Sequence, residues 1–266
     1  MNSVLYEVGE GGIVTLTLNL PHKLNPIAKE LQEALRDALT RVAEDRSVSA
    51  VVLTGAGKAF CVGADLKSLG NRTPGQSTGD QTAEWMQSLS NPLILSLRDL
   101  PVPVVCAVNG PAAGAGVGLA LACDVVLAGK SAYFYLPFLS KLGIVPDLGC
   151  TWFLPRLIGP ARAMGLALLD DKLDAERAAQ WGLIWQCLDD DLLQLKAQQI
   201  AQRLARLPAH AVREARAAFE HAGPHTLPEQ LHYESERQRV LIERPEFAEG
   251  VAAFIGKRAA SFPARA

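Results

Sequence analysis

The sequence predicts an α/β fold with a helical C-terminal region, on three observations. Short β-branched runs alternate with segments of helical spacing, the pattern of strands joined by crossover helices. Two of the runs lead into turns crowded with small residues, each opening a helix. From Leu192 onward the pattern is helical, with no strand.

Taken in order, Val4–Val8 and Ile13–Leu18 read as strands around Gly9-Glu10-Gly11-Gly12, a hairpin by turn chemistry and alternation. Asn25-Pro26 reads as the N-cap and first residue of a helix reaching Glu44, with Ile27, Leu31, Leu35, Leu39 and Val42 on its apolar face. Ala50–Thr54 is a buried strand closed by Gly55-Ala56-Gly57, and Asp65 is placed to cap a helical start. Gly70–Asp80, GNRTPGQSTGD, is the most polar and breaker-rich stretch, expected as a mobile loop flanking a site. Trp85, Leu89, Leu93 and Leu97 then recur every four residues through a helix ended by Pro101 and Pro103.

Val104–Val108 is the next strand, turning at Asn109-Gly110-Pro111. Asp124–Ala128 and Ser131–Leu136 follow as strands, Ala161–Leu169 and Ala175–Trp181 as helices, and Ile184–Leu188 as a strand. Helical runs at Leu193–Leu204, Val212–Glu220 and Leu227–Glu243 complete the chain. The expected division is a core over residues 1–199 and a helical region over 200–266.

Composition excludes several classes. The 266 residues carry 26 basic and 28 acidic side chains, a net charge of −2 without a basic patch, so no nucleic-acid partner is expected. No apolar run reaches the roughly 20 residues that span a bilayer, so no membrane partner is expected either. Cys61, Cys106, Cys123, Cys150 and Cys187 form no C-x-x-C pair and read as reduced, mostly buried thiols of a cytoplasmic protein. His22, His210, His221, His225 and His232 make no ligand set, and no metal is expected. Gly114 and Gly116 begin a G-x-G, but Leu119 breaks the dinucleotide fingerprint.

Two places can carry chemistry. Ala112, Ala113, Gly114, Ala115, Gly116 and Gly118 crowd into seven positions, leaving backbone N–H groups approachable at a helix start, where developing negative charge is stabilised. The same crowding is equally a device for tight packing. Asp147, in Gly143-Ile144-Val145-Pro146-Asp147-Leu148-Gly149, is a carboxylate in apolar surroundings, either an acid–base group or the N-cap of the helix that follows.

Leu18-Asn19-Leu20-Pro21-His22-Lys23-Leu24-Asn25, Gly63-Ala64-Asp65-Leu66-Lys67, the run from Ala107 to Asp124, and Phe254-Ile255-Gly256-Lys257-Arg258 together resemble the crotonase (enoyl-CoA hydratase/isomerase) superfamily over essentially the whole chain. The resemblance implies a crotonase-like spiral of ββα turns in two sheets, C-terminal helices that build a homotrimer or a hexamer, and an acyl-CoA substrate with no further cofactor. It implies that the amides of Ala64 and Ala115 form an oxyanion hole. It also places substrate contacts at Lys23, Leu24, Val62, Ala64, Asp65, Leu66, Gly114, Gly118 and Phe138, with Phe254 and Lys257 supplied by a neighbouring subunit. As isolated residues, the two lysines read as solvated surface.

The departures from the family bear on the reaction. Where hydratases hold two glutamates this chain has Gly118 and Phe138, neither able to move a proton, and the resemblance puts an isomerase carboxylate at Asp147. Gly118 is expected to leave room for a bulky acyl group. Phe138–Asp147, Arg162–Ala167 and Trp181–Trp185 resemble the branch that converts ring-1,2-epoxyphenylacetyl-CoA to oxepin-CoA and shifts Δ3-enoyl double bonds to Δ2. The expected activity is acyl-CoA isomerisation, with enoyl-CoA hydration and non-catalytic acyl-CoA binding as alternatives.

Overall fold

The computed structural model describes residues 2–66, 75–263 and 265. The hairpin forms as expected, β1 (Val4–Val8) pairing antiparallel with β2 (Ile13–Leu18). Helix α1 (Lys29–Glu44) follows and leads to β3 (Ala50–Gly55). Helices α2 (Thr78–Trp85) and α3 (Asn91–Arg98) are joined through a π-turn at Met86–Ser90. That wide turn has a local cause. The Asn91 N–H bonds back to the Met86 carbonyl, and Pro92, which has no N–H to donate, enters the helix directly after it.

Next come β4 (Val104–Val108), the two-residue β5 (Ala112–Ala113), α4 (Ala115–Leu121), β6 (Val125–Gly129) and β7 (Tyr133–Tyr135). Helix α5 (Cys150–Leu168) kinks at Gly159, and β8 (Leu173–Asp174), α6 (Ala175–Trp181) and β9 (Gln186–Leu188) follow. The chain ends in α7 (Leu193–Leu204), α8 (Ala211–Ala222), α9 (Leu227–Leu241) and α10 (Pro245–Ile255). No helix among the described residues is long and apolar enough to cross a membrane.

The larger sheet has the order β1-β2-β3-β4-β6-β9, parallel except at the hairpin; the smaller has β5-β7-β8. Strands β3 and β4 are buried on both faces, which is why they read as unbroken apolar runs. Val51 and Leu53 of β3 and Val104, Cys106 and Val108 of β4 point to the main core, shared with α1, α3 and α4. Their alternates Ala50, Val52, Val105 and Ala107 meet Leu193, Ala197, Ile200 and Ala201 of α7. Two cross-bonds fix α7 on this face, from Gln194 to Thr54 Oγ1 (2.9 Å) and from Gln198 to Thr15 Oγ1 (2.9 Å).

Helix α8 is pinned by one arginine. Arg216 binds both carboxylate oxygens of Asp124 (2.6 and 2.7 Å) and the carbonyls of Arg98, Leu100 and Val102, while Asp124 also accepts the Val104 N–H. Cys61, Cys106, Cys123 and Cys150 are buried, free thiols, and Cys187 is half-buried.

Two sequence expectations are corrected. Asn25 does not cap α1, whose N-cap is Ala28. Asn25 is instead wholly buried, with left-handed backbone (φ 55°). Its Nδ2 donates to the carbonyls of Ala56 (3.0 Å) and Ala59 (2.9 Å), and its Oδ1 accepts from Leu20 N. The helix whose apolar spacing begins at Trp85 starts earlier, at Thr78, where Ser77 Oγ accepts the Asp80 N–H. The first part of the expected Gly70–Asp80 loop, with Lys67, lies outside the described residues.

Candidate active site

The two small-residue turns meet because polar side chains tie them to the sheet. Asn25 holds the turn after β3 as just described. Asn109, after β4, accepts from Gly55 N and donates to the Gly57 carbonyl, both at 3.0 Å. Backbone bonds from Phe60 and Cys61 to Pro111 O, and from Ala113 to Cys61 O, then join the strand ends. The approach is close enough that a methyl group on Gly63 would lie 3.2 Å from the Ala115 nitrogen and 2.8 Å from the Ala113 carbonyl. Among the described residues, neither the Ala64 N–H nor the Ala115 N–H donates to a backbone carbonyl. Both residues line a cleft that encloses about 890 Å³ of space, part of it open to solvent.

Asp147 faces the same cleft. It does not cap α5, whose N-cap is Gly149 with no side-chain bond. Leu148 (φ 45°) and Gly149 (φ 82°) both take left-handed backbone, which ends the loop before the helix begins, and Cys150 N–H bonds to the Asp147 carbonyl rather than its side chain. Asp147 Oδ1 is buried without a hydrogen-bond partner among the described residues. Burial disfavours the ionised carboxylate and pushes its pKa up to about 6, partly offset by its own backbone N–H.

Of the other residues expected at the site, Val62, Asp65, Leu66, Gly114 and Phe138 line the cleft with Ala64, Ala115 and Asp147. Lys23, Leu24, Gly118, Phe254 and Lys257 do not. Lys23 and Leu24 lie on the surface just before Ile27, which does line it. Phe254, 87% exposed, and Lys257 sit at the end of α10, where Phe254 borders a separate groove with Leu241 and Phe247.

Gly118 is the clear correction. No space opens beside it: a methyl group there would lie 2.1 Å from the Leu148 carbonyl oxygen and 3.1 Å from the Leu148 Cβ. The glycine lets the Asp147–Leu148 segment rest on α4, so it positions the carboxylate rather than enlarging the cleft. Gly118→Ala is expected to displace that segment, lowering stability by about 1–3 kcal/mol and reducing turnover. Thermal denaturation checks the first effect, and an unchanged melting temperature would refute the contact.

Sequence reasoning missed Gln32, Trp85 and Ser90, which also line the cleft. Gln32 sits three residues before Leu35 on the buried face of α1, and a polar side chain in that register was the available signal. Trp85 heads the apolar stripe read as core, yet the π-turn, which holds Leu89, separates it from Leu93 and Leu97, and it lines the cleft. The wall carrying Phe138 and Leu142 is anchored by Asp170, which takes bonds from Tyr135 (2.6 Å), Ser140 (2.5 Å) and Lys141 (2.6 Å). These partners hold its carboxyl well below the usual carboxylate range, the Lys141 bond contributing most.

A cleft whose Ala64 and Ala115 amides find no backbone acceptor, beside a half-buried carboxyl group, can hold developing negative charge next to a proton-transfer group. The chain matches the sequence model of the enoyl-CoA hydratase/isomerase family over residues 9–265 and belongs to that family. Among its relatives is the 1,2-epoxyphenylacetyl-CoA isomerase of Escherichia coli (strain K12), 44% identical over 255 residues covering 95% of each chain. A "Probable enoyl-CoA hydratase" of Rhodobacter capsulatus is 40% identical and covers 99% of each chain. The fold is that of crystal structures such as the enoyl-CoA hydratase of Polaromonas sp. JS666, with a TM-score of 0.90, 31% identity and coverage of 98% of this chain and 99% of that one.

Proposed function

We propose that the chain is an acyl-CoA isomerase in which Asp147 moves one proton between two carbons of the acyl group. The amides of Ala64 and Ala115 hold the thioester oxygen as it gains charge. With a 3-enoyl thioester, the Asp147 carboxylate removes a proton from the carbon beside the carbonyl. The electron pair spreads onto the carbonyl oxygen and the γ carbon, and the same carboxyl returns the proton at the γ carbon, leaving the 2-enoyl thioester. One amide donor of this kind is worth about 3–4 kcal/mol of transition-state stabilisation.

The observation that carries the reading is the half-buried carboxyl group of Asp147, its Oδ1 without a partner among the described residues, in the cleft that Ala64 and Ala115 line. The name of the Escherichia coli relative supports an epoxidised phenylacetyl thioester as the acyl group. Contacts from Lys23, Leu24, Phe254 and Lys257 to coenzyme A, the last two across a trimer, belong to this proposal.

A second reading, hydration of a 2-enoyl thioester, is favoured by the relatives named as hydratases and by a second carboxylate on the cleft, that of half-buried Asp65. Purified protein assayed with a 3-enoyl-CoA, a 2-enoyl-CoA and 1,2-epoxyphenylacetyl-CoA decides between them. Isomerisation of the first or third, with hydration of the second at least a hundredfold slower, is the expected result. Hydration as the fastest reaction would reverse the assignment.

A further inference from the structure

The cleft holds more polar chemistry than moving a proton requires. Gln32 is 2% exposed and donates through Nε2 to the Ile27 carbonyl (3.3 Å), which fixes the amide so that Oε1 is the free end, and that oxygen has no partner among the described residues. Trp85 Nε1, a donor only, is likewise buried without one. Both residues line the cleft with Asp147, from α1 and α2 rather than from the turns that carry Ala64 and Ala115. An acceptor and a donor are therefore left unmet in surroundings that are otherwise mostly apolar.

Buried polar groups without partners are costly, and a hydrocarbon acyl chain in this cleft would leave both unmet. An acyl group bearing an oxygen substituent would not. A hydroxyl can donate to Gln32 Oε1, and a hydroxyl, ether or epoxide oxygen can accept from the Trp85 indole. Sites built this way discriminate strongly, because the ligand lacking the oxygen strands the protein's own groups.

We infer that Gln32 and Trp85 determine specificity, selecting acyl thioesters that carry an oxygen function beyond the carbonyl over plain hydrocarbon ones. The inference rests on the reading of the cleft as an acyl-thioester site and adds which acyl groups it prefers.

Calorimetric titration of the whole protein with phenylacetyl-CoA and with its 2-, 3- and 4-ring-hydroxylated forms tests it. The best hydroxylated thioester is expected to bind wild type at least tenfold tighter than phenylacetyl-CoA. Gln32→Met and Trp85→Phe, each checked for folding by circular dichroism, are expected to cut that ratio at least threefold while phenylacetyl-CoA binds as well or better. A purely structural role would weaken all the thioesters together and leave the ratio intact. A wild-type ratio near one, or a ratio unchanged in both variants, overturns the inference while leaving the acyl-CoA reading in place. If no thioester binds the wild type, the reading it rests on falls as well.

Discussion

Asp147→Asn is expected to lower the isomerisation rate at least about a hundredfold, as removal of a proton-transfer group does, while thioester affinity is kept. The same substitution is expected to stabilise the protein. The folded chain holds the Asp147 proton up to about pH 6, whereas an unfolded chain releases it near the ordinary aspartate value of about 4. Between those values the native state binds more protons, so stability falls as pH rises through the window, by at most about 3 kcal/mol and less after solvent screening. Asn carries no such penalty. The variant should therefore melt a few degrees above wild type at pH 7.5, with the gap closing as pH drops toward 4.

Catalysis should show the complementary limb. Because the carboxylate form takes the first proton, kcat/KM of the wild type should fall below about pH 6, and the residual activity of Asp147→Asn should lack that limb. A variant turning over at the wild-type rate would assign the proton transfer elsewhere.

Arg216→Gln is expected to cost about 3–5 kcal/mol, the largest stability loss anticipated from one side chain. Arg216 and Asp124 are 10% and 15% exposed. Removing the guanidinium strands a buried carboxylate and takes donors from three carbonyls at the end of α3 and in the segment leading to β4. Because α8 is held to the core through this pair and through Arg98–Glu220, the helical region should loosen first. Chemical denaturation measures the loss, and a double variant with Asp124→Asn should recover part of it, since a pair removed together leaves no unpaired charge. A cost under about 1 kcal/mol for Arg216→Gln would show that the pair contributes no more than a surface ion pair.

Most strands and helices were legible because their determinants are local. Alternation, helical spacing and Gly-rich turns located β1 to β4 and helices α7 to α9 within a few residues, whereas α10, Pro245–Ile255, was not read as a helix. The two-residue strands β5 and β8 left no periodic signal. Errors concentrated where one residue type serves two purposes. Asn25 and Asp147 both stand before helices as caps do, and what each does instead depends on atoms far along the chain or on the backbone twist of its neighbours. Asn25 finds its acceptors 31 and 34 residues away. Asp147 is set by the left-handed Leu148 and Gly149. At Gly118 the missing side chain was visible, but whether ligand or protein fills the gap depends on where Leu148 folds back.

The wide turn at Met86–Ser90 divides the run of α2 and α3 into two surfaces with independent phases. Leu93 and Leu97 are in register with the hydrophobic interior, while Thr82 and Trp85 are in register with the cleft. Substitutions that retune recognition can therefore accumulate upstream of residue 86 without disturbing the packing that Pro92 and its successors maintain.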